Sequence, residues 1–174
     1  MASTLKVQNI AHTGGTVAAT IDSNGFMFPK LPHFLIRNTG AQAITNSQYV
    51  RCEFNDTVLD THSFADLGNN KINFSATTAG VYHITFGGKW NNITANRIGY
   101  WIRKEGSMNT GPYIGYFEAQ SASASYLYPT FSFMHSFASG SFLELDLYQT
   151  ASGSANTYPQ SQALGFFMSG FRIG

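Results

Sequence analysis

Charge is what this sequence has least of. Acidic and basic residues make up 11% of its 174 positions, where a soluble domain usually carries about 25%. Ten cations face nine acids, for a net charge of +1. The one adjacent basic pair, Arg103-Lys104, is followed at once by Glu105. A phosphate backbone is gripped by several converging cations, so no nucleic-acid partner is expected. Cysteine is nearly absent as well. Cys52 stands alone, no internal disulfide can form, and the residue reads as a small, partly buried strand position. No run of 18 apolar residues occurs, so no membrane insertion is expected. The opening Met1-Ala2-Ser3-Thr4-Leu5-Lys6 has no apolar stretch of signal-peptide length, and the expectation is synthesis in a cytoplasm. Helical periodicity with caps is missing, and residues 56–67 are the best helix candidate.

Aromatics are abundant instead, at 15%, with 15 Phe and 9 Tyr. Depletion of Lys, Glu and Asp beside aromatic enrichment is the composition of surfaces that lie against other subunits. That reading is favoured over a low-charge surface merely tolerated by a stable β protein.

The chain divides into an N-terminal arm, residues 1–31, and a larger all-β domain, residues 32–174. In the arm, Leu5, Val7 and Ile10 suggest a short extended piece, and residues 16–21, ending at Ile21, a second strand. Asn24-Gly25 is a hairpin signal, because both residues tolerate positive φ. Phe26-Met27-Phe28 follows. So small a segment cannot hold its own core, and exposed apolar residues of this kind need a partner. In the larger domain, strands are expected at residues 33–38, 48–54, 71–74, 80–90, 97–104, 113–118, 130–137, 142–149 and 165–173. Many short strands separated by turn residues imply a sandwich or jelly roll. The stretch from Ile72 to Phe86 reads as two strands and a turn at Ala79-Gly80, a central hairpin, with Tyr82, Ile84 and Phe86 on one face.

In this order the motifs resemble the globular head of the complement first component's recognition subunit and, more broadly, the tumour-necrosis-factor-like jelly roll. Pro32-His33-Phe34-Leu35-Ile36 looks like that family's first strand. Phe74-Ser75-Ala76 with Ala79-Gly80-Val81-Tyr82-His83-Ile84 is similar to its most recognisable motif. Ile98-Gly99-Tyr100-Trp101-Ile102-Arg103-Lys104-Glu105-Gly106 resembles its hairpin, with Glu105 where the family has Asn. Phe166-Phe167-Met168-Ser169-Gly170-Phe171 looks like its final strand. Gly140-Ser141 lacks the usual Asp, and no collagen-like repeat precedes the domain. The arm resembles the N-termini of tailed-phage virion proteins, especially of marine and cyanobacterial phages, through residues 3–10 and 14–25. Together these resemblances imply a homotrimeric knob on a virus particle, with Phe74, Tyr82, Phe86 and Phe171 in the trimer core or interface. Leu5, Val7, Ile10, Ile21, Phe26 and Phe28 would anchor the arm to other virion proteins.

Reactive chemistry is harder to find. His12, His33, His62, His83 and His135 show no pair at a metal-ligand spacing. Asp56, Asp60 and Asp66 form the one candidate oxygen cluster, against a solvated loop as the plain alternative. Glu118, Glu144 and Asp146 suit a two-carboxylate hydrolase only by being acids. No nucleophile elbow or phosphate-cradling motif is present. The expectation is no enzyme, no metal and no cofactor. Tyrosines beside loops favour binding, since they join a flat apolar face to a polar tip. Tyr113, Tyr116, Tyr126 and Tyr128 are the candidates, with a host-surface glycan as ligand. The functional expectation is a phage tail-fibre or fibre-tip protein that meets the host cell. The alternative is a capsid decoration protein held by its arm.

Overall fold

The computed structural model describes residues 7–11, 13–14, 17–93, 95–104, 113–120, 124–151, 155–157 and 165–173. The chain forms two compact units, Met1–Pro32 and His33–Gly174.

The first unit is a three-stranded antiparallel sheet, in the order β1 (Asn9–Ala11), β2 (Val17–Ile21), β3 (Met27–Pro29). Asp22 closes its second turn. The Asp22 carboxylate accepts from the backbone N–H of Asn24 and of Phe26, each at 2.9 Å. Gly25 sits at φ +84°, a left-handed conformation that glycine takes without steric cost. The hairpin expected at Asn24-Gly25 is therefore present.

Among the described residues the second unit carries fifteen strands: β4 (His33–Arg37), β5 (Ala43–Ile44), β6 (Tyr49–Arg51), β7 (Asp56–Asp60), β8 (Ala65–Asp66), β9 (Lys71–Asn73), β10 (Gly80–Gly87), β11 (Trp90–Ile93), β12 (Ala95–Arg103), β13 (Tyr113–Gln120), β14 (Ala124–Leu127), β15 (Thr130–Phe137), β16 (Phe142–Ala151), β17 (Ala155–Thr157) and β18 (Phe167–Arg172). A five-stranded sheet runs β15-β10-β18-β4-β7. A six-stranded sheet runs β13-β12-β16-β9-β8, with β6 also paired to β16. A smaller sheet runs β14-β11-β17-β5. All pairings are antiparallel.

Period-two alternation decides which side chains go inward. From the five-stranded sheet come Phe34, Ile36, Tyr82, Ile84, Phe86 and Met168. From the six-stranded sheet come Ile72, Ile98, Tyr100, Ile102, Leu143, Leu145 and Leu147. All are buried in one hydrophobic cluster. Aromatic rings carry much of it. Phe74 and Phe137 stack at 4.1 Å, with Tyr82 edge-on to Phe74 at 5.1 Å. Such pairs add about 0.5–1.5 kcal/mol beyond the area they bury. Cys52 is buried in the same cluster, and burial pushes its thiol pKa up.

The one helix candidate proves extended, as an all-β chain requires, and one expectation fails. Residues 56–67 form no α-helix. They form β7, a turn, β8 and the start of a 3-10 turn at Leu67–Asn69. The Asp60 carboxylate takes the backbone N–H of Phe64 and of Ala65, each at 2.9 Å, which closes the chain on itself. Pairing of β7 to β4, with Leu35 opposite Leu59, fixes the extended state.

The stretch from Ile72 to Phe86 is also no hairpin. β9 pairs with β8 and β16, whereas β10 pairs with β15 and β18. The segment crosses from one sheet to the other. Its turn is self-bonded: Thr78 Oγ1 accepts from the Ser75 N–H at 2.7 Å, and the Ala79 N–H donates to the Ser75 carbonyl at 2.8 Å. The Tyr82 hydroxyl then donates to the Thr78 carbonyl at 2.6 Å. Burial pushes the Tyr82 pKa up to about 12.

Candidate functional site: an aromatic platform on the six-stranded sheet

Alternation along β12 sends Ile98, Tyr100 and Ile102 into the core. The intervening Arg97, Gly99, Trp101 and Arg103 therefore face away from it. Cross-strand register brings further side chains to that face. Trp101 lies opposite Tyr116 and Asp146, and Arg103 opposite Tyr113 and Glu144. On the far side of β16, Tyr148 pairs with Tyr49 and Asp146 with Arg51.

Five aromatic rings form one connected cluster there. Tyr49 touches Tyr148 at 4.7 Å between centroids, Trp101 at 5.1 Å and Tyr113 at 6.4 Å. Trp101 meets Tyr148 at 5.2 Å and stacks with Tyr116 at 6.2 Å. Trp101 is the floor, only 7% exposed, whereas Tyr116 is 64% exposed at the rim. Gly99 explains how the indole lies down. A Cβ at that position would collide with the Trp101 ring and sit 2.8 Å from the Phe117 carbonyl oxygen. Burial and the neighbouring Tyr113 and Tyr148 raise the Tyr49 pKa above its ordinary value.

Ionic groups are interleaved with the rings. Asp146, fully buried, accepts from Arg51 Nε at 2.9 Å and pairs with Arg103 Nε. Arg51 also pairs with Glu144. Burial raises the Glu144 pKa above its ordinary value, although Arg51 pulls it down. Arg103 donates to the Tyr113 hydroxyl at 3.2 Å, with its guanidinium 4.9 Å from that ring. At the margin Arg97 pairs with Glu118 and lies over Tyr148 at 5.9 Å. Three arginines thus meet three carboxylates. The acids at 118, 144 and 146 each hold an arginine, an arrangement that supports a folded face rather than a pair of catalytic carboxylates.

A cleft of about 590 Å3 adjoins the platform, lined by Ser47, Gln48, Tyr49 and Tyr113. Ser47 adopts φ +55°, uncommon for a residue other than glycine. Its N–H donates to the Gln149 carbonyl at 2.8 Å, which fixes the loop beside the rings.

The platform unites Tyr113 and Tyr116, two of the four expected tyrosines. Tyr128 stands elsewhere, 62% exposed, with Lys89 Nζ 5.4 Å from its ring. The side chain of Tyr126 lies outside the described residues. Tyr49 and Tyr148 were not among the expected binding residues. The alternation of Arg97, Gly99, Trp101 and Arg103 against three core residues was the signal for Trp101. Nothing local marks Tyr49 or Tyr148, which arrive through β-pairing.

The other expected positions fall as follows. Phe74, Tyr82 and Phe86 are buried inside this one protomer. Phe171 is 49% exposed on the outer face of the five-stranded sheet, 5.2 Å from the His83 ring. In the arm, Val7, Ile10 and Phe26 are exposed, Phe26 to 65%, and Ile21 is half-buried. Val7, Ile10 and Ile21 line a cleft of about 920 Å3 within the first unit. Leu5 and the side chain of Phe28 lie outside the described residues. The three acids of the oxygen cluster are separately engaged. Asp56 pairs with Arg37, Asp60 holds its turn, and Asp66 accepts from the Asn69 amide at 2.9 Å. No group of three or more potential ligands for a metal occurs among the described residues.

No protein-family model matches the chain, and no curated protein matches its sequence. Solved structures do match its fold. Murine APRIL at pH 8.0 is 10% identical, with a TM-score of 0.62 over 83% of this chain and 100% of that one. The globular domain of zebrafish complement 1qA is 14% identical, with a TM-score of 0.55 over 82% and 98%. The vertex protein P5 of phage PRD1 is 12% identical, with a TM-score of 0.58 over 82% and 97%. The chain is accordingly an all-β protein with a tumour-necrosis-factor-like jelly roll.

Proposed function

We propose that this chain is a phage virion surface protein. Its jelly roll would form a homotrimeric knob, and residues 1–31 would anchor that knob to other virion proteins. The observation that carries the reading is the contrast between the two outward sheet faces. The five-stranded sheet turns Met134, His83, Phe171, Leu35 and Leu59 outward by register. Met134 is 67% exposed and Leu59 43%. Small hydroxyls fill the gaps, with Thr85 and Ser132 bonded at 2.8 Å. Arg37 and Asp56 on this sheet pair with each other at 2.5 Å. An apolar face poor in charge is what a homo-oligomeric interface requires. With that face against its copies, the knob presents the aromatic platform outward. Contact with the host cell surface, as a tail fibre or fibre tip, is the task this suits. Three copies per knob, and several knobs per particle, would multiply weak contacts.

The likeness to a vertex protein supports a second reading, a capsid decoration protein with the same trimer and the same arm. Gold labelling of intact particles decides between them. Label at the tail tip supports the fibre, and label spread over the capsid supports decoration. Removing residues 1–31 tests the anchor. The truncated knob is expected to trimerise in sedimentation and to be missing from particles. Incorporation at full level would overturn the anchoring role.

A further inference from the structure

We infer that the platform of Tyr49, Trp101, Tyr113, Tyr116 and Tyr148 binds an electrically neutral carbohydrate, with the adjoining Ser47–Tyr113 cleft as a second part of the same site. The inference deepens the proposed function and rests on this face looking outward from the trimer.

Three observations carry it. The first is shape. Trp101 packs over Gly99, where a Cβ would collide with its ring, and edge-on against Tyr49 and Tyr148; the exposed Tyr116 ring stacks on it at an interplanar angle of 17°. The pyranose C–H face is itself flat and apolar, with hydroxyls at its edge. The exposed Tyr116 ring, held in place from below by Trp101 and carrying a hydroxyl at its tip, complements it.

The second is charge. Arg51, Arg97 and Arg103 are each matched by Glu144, Glu118 or Asp146 within the face. An anionic sugar or a phosphate would meet no uncompensated cation among these groups, so no net field draws it in. A neutral hydroxyl meets both a guanidinium donor and a carboxylate acceptor at the exposed Arg97–Glu118 pair.

The third is the cleft. Its volume of about 590 Å3 falls within the span of about 300–1,000 Å3 usual for small-ligand sites. Ser47 and Gln48 supply a hydroxyl and an amide at its wall, and the Ser47 backbone is pinned to Gln149. Little reorganisation is then needed on binding, which keeps the ordering cost low.

The test uses the full chain. Neutral gluco-, manno-, galacto- and N-acetylglucosamine oligosaccharides are titrated by calorimetry, beside uronic-acid and sulfated oligosaccharides of matching length. At least one neutral series is expected to bind, with affinity changing less than about twofold between low and high salt, because no charge pair forms. Tyr116→Ala is expected to weaken that binding about tenfold, and Tyr49→Ala similarly. Val58→Ala, at an exposed position of β7 in the other sheet, is expected to leave it unchanged. Near-ultraviolet circular dichroism checks that each variant keeps its packed core. Preference for the charged series, a steep salt dependence, an unaffected Tyr116→Ala variant, or no binding by any neutral series would each overturn the inference. Sedimentation of the same samples reads the trimer separately. A trimer that ignores neutral sugars sinks the ligand and leaves the virion reading intact. Sugar binding by a protein that stays monomeric does the reverse.

Discussion

The two outward faces of this sandwich solve opposite problems with the same pleat. The five-stranded sheet offers Met134, Phe171 and Leu59 beside small hydroxyls. The six-stranded sheet offers five aromatic rings threaded by arginine–carboxylate pairs. An apolar face without compensating charge is costly in water and is relieved by burial against a copy. A face whose charges are already paired and whose rings carry hydroxyls can stay wet. The contrast shows why a chain with so few charges is not uniformly apolar outside. Six of its nineteen charged side chains pair up on that one surface.

The largest effect should come from breaking the ionic lattice. Asp146→Ala leaves Arg51 and Arg103 without their shared carboxylate, Arg103 being fully buried. A loss of about 3–5 kcal/mol is expected in urea unfolding. A change under about 1 kcal/mol would show that the pairs are ornamental, as exposed pairs usually are. On the opposite face, Met134→Asp should convert the knob to monomers by sedimentation. In the proposed trimer each copy would carry the new carboxylate into an apolar interface, at a cost of several kcal/mol, so association should weaken by about 100-fold or more. The fold itself should persist, since Met134 is 67% exposed.

Gly99→Ala separates platform from core. Its Cβ would displace the Trp101 ring, at about 1–3 kcal/mol of overpacking cost. The near-ultraviolet spectrum should change, and oligosaccharide affinity should fall about tenfold. The smallest effect concerns His135, whose ring is packed against Phe137 at 5.0 Å. Burial, with Lys104 adding to it, lowers its pKa. The unfolded chain therefore takes up that proton more readily than the folded one. The contribution is present above the ordinary histidine value of about 6.5 and is lost as pH falls through the folded pKa. Melting temperature should decline over that acid window. His135→Phe should flatten this part of the profile.

How far the sequence could be read varies with the reach of the interaction. The strand at Thr130–Phe137 is legible from its own alternation, and it was found with the same bounds. The final strand and the arm's hairpin are legible too, because Phe167–Arg172 alternates and Asn24-Gly25 needs no distant partner. Residues 56–67 misled because one carboxylate, Asp60, reorganises five residues of backbone without leaving a period. Ile72–Phe86 misled for a different reason. A turn between two strands does not say whether they pair with each other, and here they pair with β16 and β18 instead. The platform is the extreme case. Tyr113 and Tyr116 were visible as tyrosines near a strand start. Tyr49 and Tyr148 are neighbours only through β6–β16 pairing, across about a hundred residues of chain.

One feature of the topology bears on how the protein is made. β18 is hydrogen-bonded between β4 and β10, in the interior of the five-stranded sheet. A ribosome delivers β4 among the first strands described in this unit and β18 after all the others described. Until Phe167–Arg172 emerges, His33–Arg37 and Gly80–Gly87 each hold an unpaired edge, and Phe34 and Ile84 lack the backbone of Gly170 packed between them. Exposed edges of this kind are templates for wrong pairing, and closure of the sheet waits for the most distant contact. This sheet therefore closes only once Phe167–Arg172 has been made. A nascent chain stalled short of Phe167 should be captured by chaperones, whereas one released past Arg172 should not.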